Sequence, residues 1–95
     1  MEIQVYLQSL TGKIFKILPM FENEDETLNT YMAHLVAELS GGSFSFPELS
    51  ADAGYISLLN GVNFILHHDC SVKQCKREVF NMLSVVDVLI EKYGR

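Results

Sequence analysis

This chain of 95 residues is narrowed first by what it does not contain. No apolar run approaches the ~20 residues needed to span a bilayer, which excludes a membrane-crossing helix. The start Met1-Glu2-Ile3-Gln4 has neither the basic residues nor the apolar stretch of a signal peptide, so the expected address is the cytoplasm. Cysteine is scarce. With only Cys70 and Cys75 present and no export signal, reduced thiols are expected, Cys75 acting as a small core hydrophobe. Cys-x-x-Cys and His-Glu-x-x-His spacings are absent, as are a Gly-x-Ser-x-Gly turn and a phosphate-cradling glycine loop. An enzyme, a cofactor and a metal centre are therefore not expected. Charge is also thin: 20% of residues are charged against 48% apolar, and the net charge of −5 discourages non-specific contact with nucleic acid or anionic lipid.

What is present speaks for helices in one domain spanning 1–95. Ser71-Val72-Lys73-Gln74 is a Ser-x-x-Gln helix start, and it opens about six turns of amphipathic sequence ending at Tyr93-Gly94. Val72, Cys75, Val79, Met82, Leu83, Val86, Leu89, Ile90 and Tyr93 lie on one side of that helix. Upstream, Tyr55, Leu58, Leu59, Val62, Ile65 and Leu66 keep helical spacing between a start near Ser50 or Asp52 and an end near Asp69. Leu28, Tyr31, Met32, Leu35, Val36 and Leu39 do so after Thr27, a candidate N-cap, with Gly41-Gly42 as the expected left-handed stop. Glu24, Asp25 and Glu26 precede that helix where its partial positive charge favours them. Residues 43–50 lack periodicity, yet Phe44, Phe46 and Leu49 imply a loop that folds down onto the core.

Residues 2–18 admit two readings. Ile3, Leu7, Leu10, Ile14 and Ile17 step by four and three as on a helix, leaving only Val5 and Phe15 off the stripe, and Pro19 should end the element. Alternatively, Ile3, Val5 and Leu7 alternate as a strand before Thr11-Gly12, with Ile14 to Leu18 returning. In that reading Leu10-Thr11-Gly12-Lys13 resembles the first hairpin turn of ubiquitin. The resemblance covers less than half the chain and implies an α+β fold with an N-terminal β-hairpin. Residues 43–95 carry nothing of that pattern, and the helical stripe places more of the apolar positions. Asn60-Gly61 is a second hairpin signal, set against a helical Tyr55 to Leu66. The expectation is an all-α antiparallel four-helix bundle, with helices at 2–18, 27–40, 51–69 and 72–93.

Three constellations bear on function. His67, His68, Asp69, Cys70 and Cys75 include every common zinc-ligand type. Adjacent histidines on a helix, however, point about 100 degrees apart and cannot both reach one ion, which leaves a metal protein using His67, Asp69 or Cys70 as the third choice. Lys73, Gln74, Lys76 and Arg77 follow a short turn between two helices, the positions from which a helix-turn-helix reader would face a major groove. The acidic total opposes that, so a small nucleic-acid-binding protein is the alternative. Phe64, Phe80, Val85 and Val88 fall away from the buried stripes, and a lone bundle of this size would leave some of them in water. These four, with Lys73, Lys76 and Arg77 for polar selectivity, define the expected partner surface on the third and fourth predicted helices. The expected function is a non-catalytic interaction protein binding another protein or, first of all, a second copy of itself.

Overall fold

The computed structural model describes residues 2–94. Every regular element among them is a helix: α1 (Ile3–Phe15), α2 (Ile17–Glu22), α3 (Leu28–Ser45), α4 (Pro47–Ser50), α5 (Ala53–His67) and α6 (Val72–Tyr93). Both hairpin readings fail, the likeness to the ubiquitin turn included. Leu7, Leu10, Ile14 and Ile17 are all fully buried, a set that a helical stripe can supply and an alternating strand cannot. Val5 and Phe15, off that stripe, are exposed.

Pro19 does not end the first element but divides it. Its absent N–H would have bonded the carbonyl of Phe15, and the helical ladder opens there, at Lys16; the chain then resumes as α2 and carries Pro19 in its first turn, where no N–H is required. Gly41-Gly42 likewise does not stop α3, which continues to Ser45, and no glycine among the described residues has a positive φ. Thr27 makes no side-chain cap; instead the Asp25 carboxylate accepts from the Thr27 N–H at 2.8 Å and from its hydroxyl at 2.6 Å. Those two bonds hold the Asp25 carboxyl below its ordinary range.

α1, α3, α5 and α6 form a four-helix bundle that runs up, down, up, down. Tyr6 Oη donates to the Glu38 carbonyl at 3.3 Å while Tyr31 Oη donates to the Lys13 carbonyl at 2.6 Å, so α1 and α3 are antiparallel. Gly54 lies beside Val85 and Leu89, and Gly61 beside Met82, which makes α5 and α6 antiparallel as well. α6 packs against α1, α2 and α5, and its 22 residues span about 33 Å of a molecule 37 Å long. Its start is built as the sequence implies: Ser71 Oγ accepts from the Gln74 N–H, and Gln74 Oε1 accepts from the Ser71 N–H. Cys75, Val79, Met82, Val86 and Leu89 form its buried stripe, but Val72, expected on that stripe, sits exposed in the first turn.

The glycines that matter mark close approaches. A Cβ on Gly42 would collide with the hydroxyls of both Tyr6 and Tyr55. Tyr55 Oη donates to the Leu39 carbonyl at 2.5 Å, so the single Tyr6 hydroxyl hydrogen is shared between Tyr55 Oη at 2.9 Å and the Glu38 carbonyl at 3.3 Å. Burial pushes both phenols up. A Cβ on Gly61 would come within 2.8 Å of Met82 Sδ, so glycine there lets α5 approach α6. Residues 43–50 are mostly helical: Leu49 is fully buried, Phe46 stacks on Tyr6 with ring centroids 5.4 Å apart, and Phe44 points away from the core at 90% exposure.

Candidate interaction surface

Two faces of α6 differ in fate. At 100 degrees per residue, Lys73, Lys76, Arg77, Phe80, Ser84, Asp87 and Val88 fall within one arc opposite the buried stripe. All seven are exposed; Phe80 is 46% and Val88 64% exposed. The segment from Phe44 to Leu49, which could have covered this face, lies instead against α3 and α5 and reaches Tyr6. The apolar excess is therefore only partly absorbed by the fold.

Phe64 and Val85, the other two expected contact residues, are half-buried against the core. Phe64 also stacks on His68, with centroids 4.4 Å apart, and His68 Nδ1 lies 3.0 Å from the Phe64 carbonyl. The ring's outer surface is thus capped by its own chain, and Phe64 belongs to the border of the surface. Val85 has a different role. With Gly54, Ser84, Val88 and Leu89 it lines an apolar groove of about 310 Å³ between α5 and α6, which the missing side chain of Gly54 leaves open. Neither Gly54 nor Ser84 is an apolar side chain, so no hydrophobic pattern pointed to this groove.

One end of the groove is fixed by Asp52. Its Oδ1 accepts from the Gly54 N–H at 2.8 Å and the Tyr55 N–H at 3.2 Å, capping α5. Its Oδ2 accepts from Lys92 Nζ at 2.8 Å and Tyr93 Oη at 2.7 Å, tying the start of α5 to the end of α6. The Lys92 ammonium, with Tyr93 second, holds the Asp52 carboxyl down at about 2 despite its burial. The Lys92 ammonium is raised in turn by the same bond.

The cations of α6 stand differently. Lys73, Gln74, Lys76 and Arg77 are all exposed, and the ion pairs among the described residues, Lys13–Glu38 and Lys92–Asp52, include none of them. A second groove, of about 580 Å³, is lined by Glu22, Glu24, Asp25 and Glu26 together with Cys70, Ser71 and Val72. Four carboxylates thus border the first turn of α6, where they complement its dipole and would repel a phosphate backbone. Glu24 holds the turn in this loop at φ 53°.

For the metal alternative, no three His, Cys, Asp or Glu side chains among the described residues are grouped to hold an ion. Both cysteines are free thiols. Burial pushes the Cys75 thiol up to about 11 and also raises that of Cys70, so neither is an activated nucleophile at neutral pH. No helix among the described residues is long and apolar enough to cross a membrane. No family model, curated protein or solved structure matches the chain.

Proposed function

We propose that this protein is a non-catalytic interaction module that works as a homodimer and uses the outer face of α6 and the α5–α6 groove as its contact surface. The observation that carries this reading is the exposure of Phe80 and Val88 beside an apolar groove. Large apolar side chains gathered at a concave site are the usual anchors of a protein contact, and charged residues at its edge supply selectivity. Phe80 and Val88 are the anchors, Val85 lines the groove, and Phe64 is a border residue. Lys73, Lys76 and Arg77 supply the polar edge, facing acidic groups on the partner. The cytoplasm is the compartment in which this contact and the free thiols fit together.

Replacing Phe80 and Val88 together with Asp should leave the helical content intact and reduce the solution mass by light scattering to that of one chain. An unchanged mass would remove the proposal. The alternative, a helix-turn-helix binder of duplex DNA through Lys73, Gln74, Lys76 and Arg77, is favoured by the exposure of all four and opposed by the carboxylates beside them. Titrating duplex DNA at two salt concentrations separates the two, since binding through phosphate weakens steeply with salt.

A further inference from the structure

Resting on that reading of the α6 surface, we infer that the second copy docks α6 against α6 in antiparallel orientation, with the twofold axis crossing the outer face at the level of Met82 and Arg77 of each copy paired with Asp87 of the other. The order of charge along the helix carries the inference. Lys73, Lys76 and Arg77 stand near the N-terminus of α6, whereas Asp87 and Glu91 stand near its C-terminus. Lys73 in the first turn and Glu91 in the last oppose the peptide dipole, which favours anions at the start and cations at the end, while Lys92 in the last turn complements it. Lys73 with Arg77, and Asp87 with Glu91, are also like-charged pairs one turn apart, an arrangement that weakens a helix. Among the described residues, Arg77 and Asp87 take part in neither the Lys13–Glu38 nor the Lys92–Asp52 ion pair. Glu91 is engaged in its own chain, so the pairing rests on Arg77 and Asp87.

A second copy turned by 180 degrees reverses this conflict. Arg77 and Asp87 lie about 15 Å apart along the axis, and the point midway between them is level with Met82. Phe80 and Ser84 share that midpoint. The same operation that sets Arg77 against Asp87 therefore sets each Phe80 ring over the small Ser84 of the other copy, at the edge of the groove that Ser84 and Val88 line. A parallel arrangement would set Arg77 against Arg77 and Asp87 against Asp87. One rotation thus satisfies charge and shape together, as a self-complementary twofold contact requires.

The test is a charge exchange read by sedimentation velocity across a concentration series at low salt. Arg77→Asp and Asp87→Arg should each weaken self-association by about tenfold or more, because each sets like charges against one another twice per dimer. The double variant Arg77→Asp/Asp87→Arg should return to within about threefold of the original affinity. An equimolar mixture of the two single variants should form dimers at concentrations where neither does alone. All substituted positions are exposed, and recovery in the mixture itself demonstrates that both chains are folded. If the original chain dimerises through Phe80 but neither single variant changes its affinity, the antiparallel pairing is wrong while the interaction surface stands. If the original chain remains a monomer at the highest concentration reached, both readings fall.

Discussion

The inner and outer faces of α6 share one helix and obey opposite rules. Inward, Cys75, Val79, Met82, Val86 and Leu89 present nothing but hydrophobic side chains to α1, α2 and α5, and each is buried. Outward, cations lead, a phenylalanine follows and an aspartate comes after it, with no ion pair among the described residues holding them. The inner face is over-determined by packing, whereas the outer face has its local preferences unmet. Such a local conflict on a well-packed helix is not accounted for by the packing of this chain, which is what motivates the proposed contact surface.

Neighbouring residues break this comparison most directly. Leu89→Ala removes a buried side chain and should lower the unfolding free energy by about 2–5 kcal/mol, while Val88→Ala, one position away, should change monomer stability by no more than about 0.5 kcal/mol. Urea denaturation of both at a concentration where the chain is monomeric checks this. Equal losses would mean that the outer face is part of the core.

A smaller effect sharpens the inner side. Gly61→Ala forces a methyl against Met82 Sδ, and the overpacking of about 1–3 kcal/mol, less a helix-propensity gain of about 1 kcal/mol, should leave a net loss of up to about 2 kcal/mol, whereas Gly41→Ala, which meets nothing within 4 Å, should stabilise α3 by about 0.5–1 kcal/mol. Thermal unfolding of the pair, with the two midpoints moving in opposite directions, is the expected result.

The smallest effect lies where the two faces meet, at Asp52. Its carboxyl is held at about 2 in the folded chain, below the unfolded value near 4, so its contribution is complete above about pH 4 and is lost as the pH falls toward 2. With Lys92 largely exposed and screened by solvent, the loss should be about 1–2 kcal/mol. Asp52→Asn should flatten that part of the stability profile between pH 4 and pH 2. A profile identical to that of the original chain would show that the Lys92 bond contributes nothing.

Local signals were legible and long-range ones were not. Ser71 and Gln74 specify the start of α6 by bonding to each other's backbone within one turn, which three residues of sequence suffice to encode. Asp52 caps α5 for a similarly local reason. Thr27 misled because nothing three residues later answers it: position 30 is another threonine, and the acceptor is Asp25, before it. Gly41-Gly42 misled for a different reason. Glycine serves both as a helix stop and as a place where another group comes close, and the groups that decide between them, Tyr6 and Tyr55, lie far away in the chain. Of the surface, Lys73, Lys76, Arg77, Phe80 and Val88 could be placed by helical spacing. The covering of Phe64 by His68 depends on where α5 ends, and the groove over Val85 depends on Gly54, so neither was written in the pattern of apolar residues.

Gly42 also governs how the helices can slide. Beneath it, side chains from α1 and α5 meet on a third helix at a point with no room for a methyl group. Shifting α3 along its axis by one residue would turn Gly42 aside by about 100 degrees and bring Gly41 or Ser43 under the two rings, misplacing the Leu39 and Glu38 carbonyls that receive their protons. The junction therefore works as a detent, a notch that lets α3 rest at a single axial setting. The corner at α4, which hangs from its end, inherits that setting.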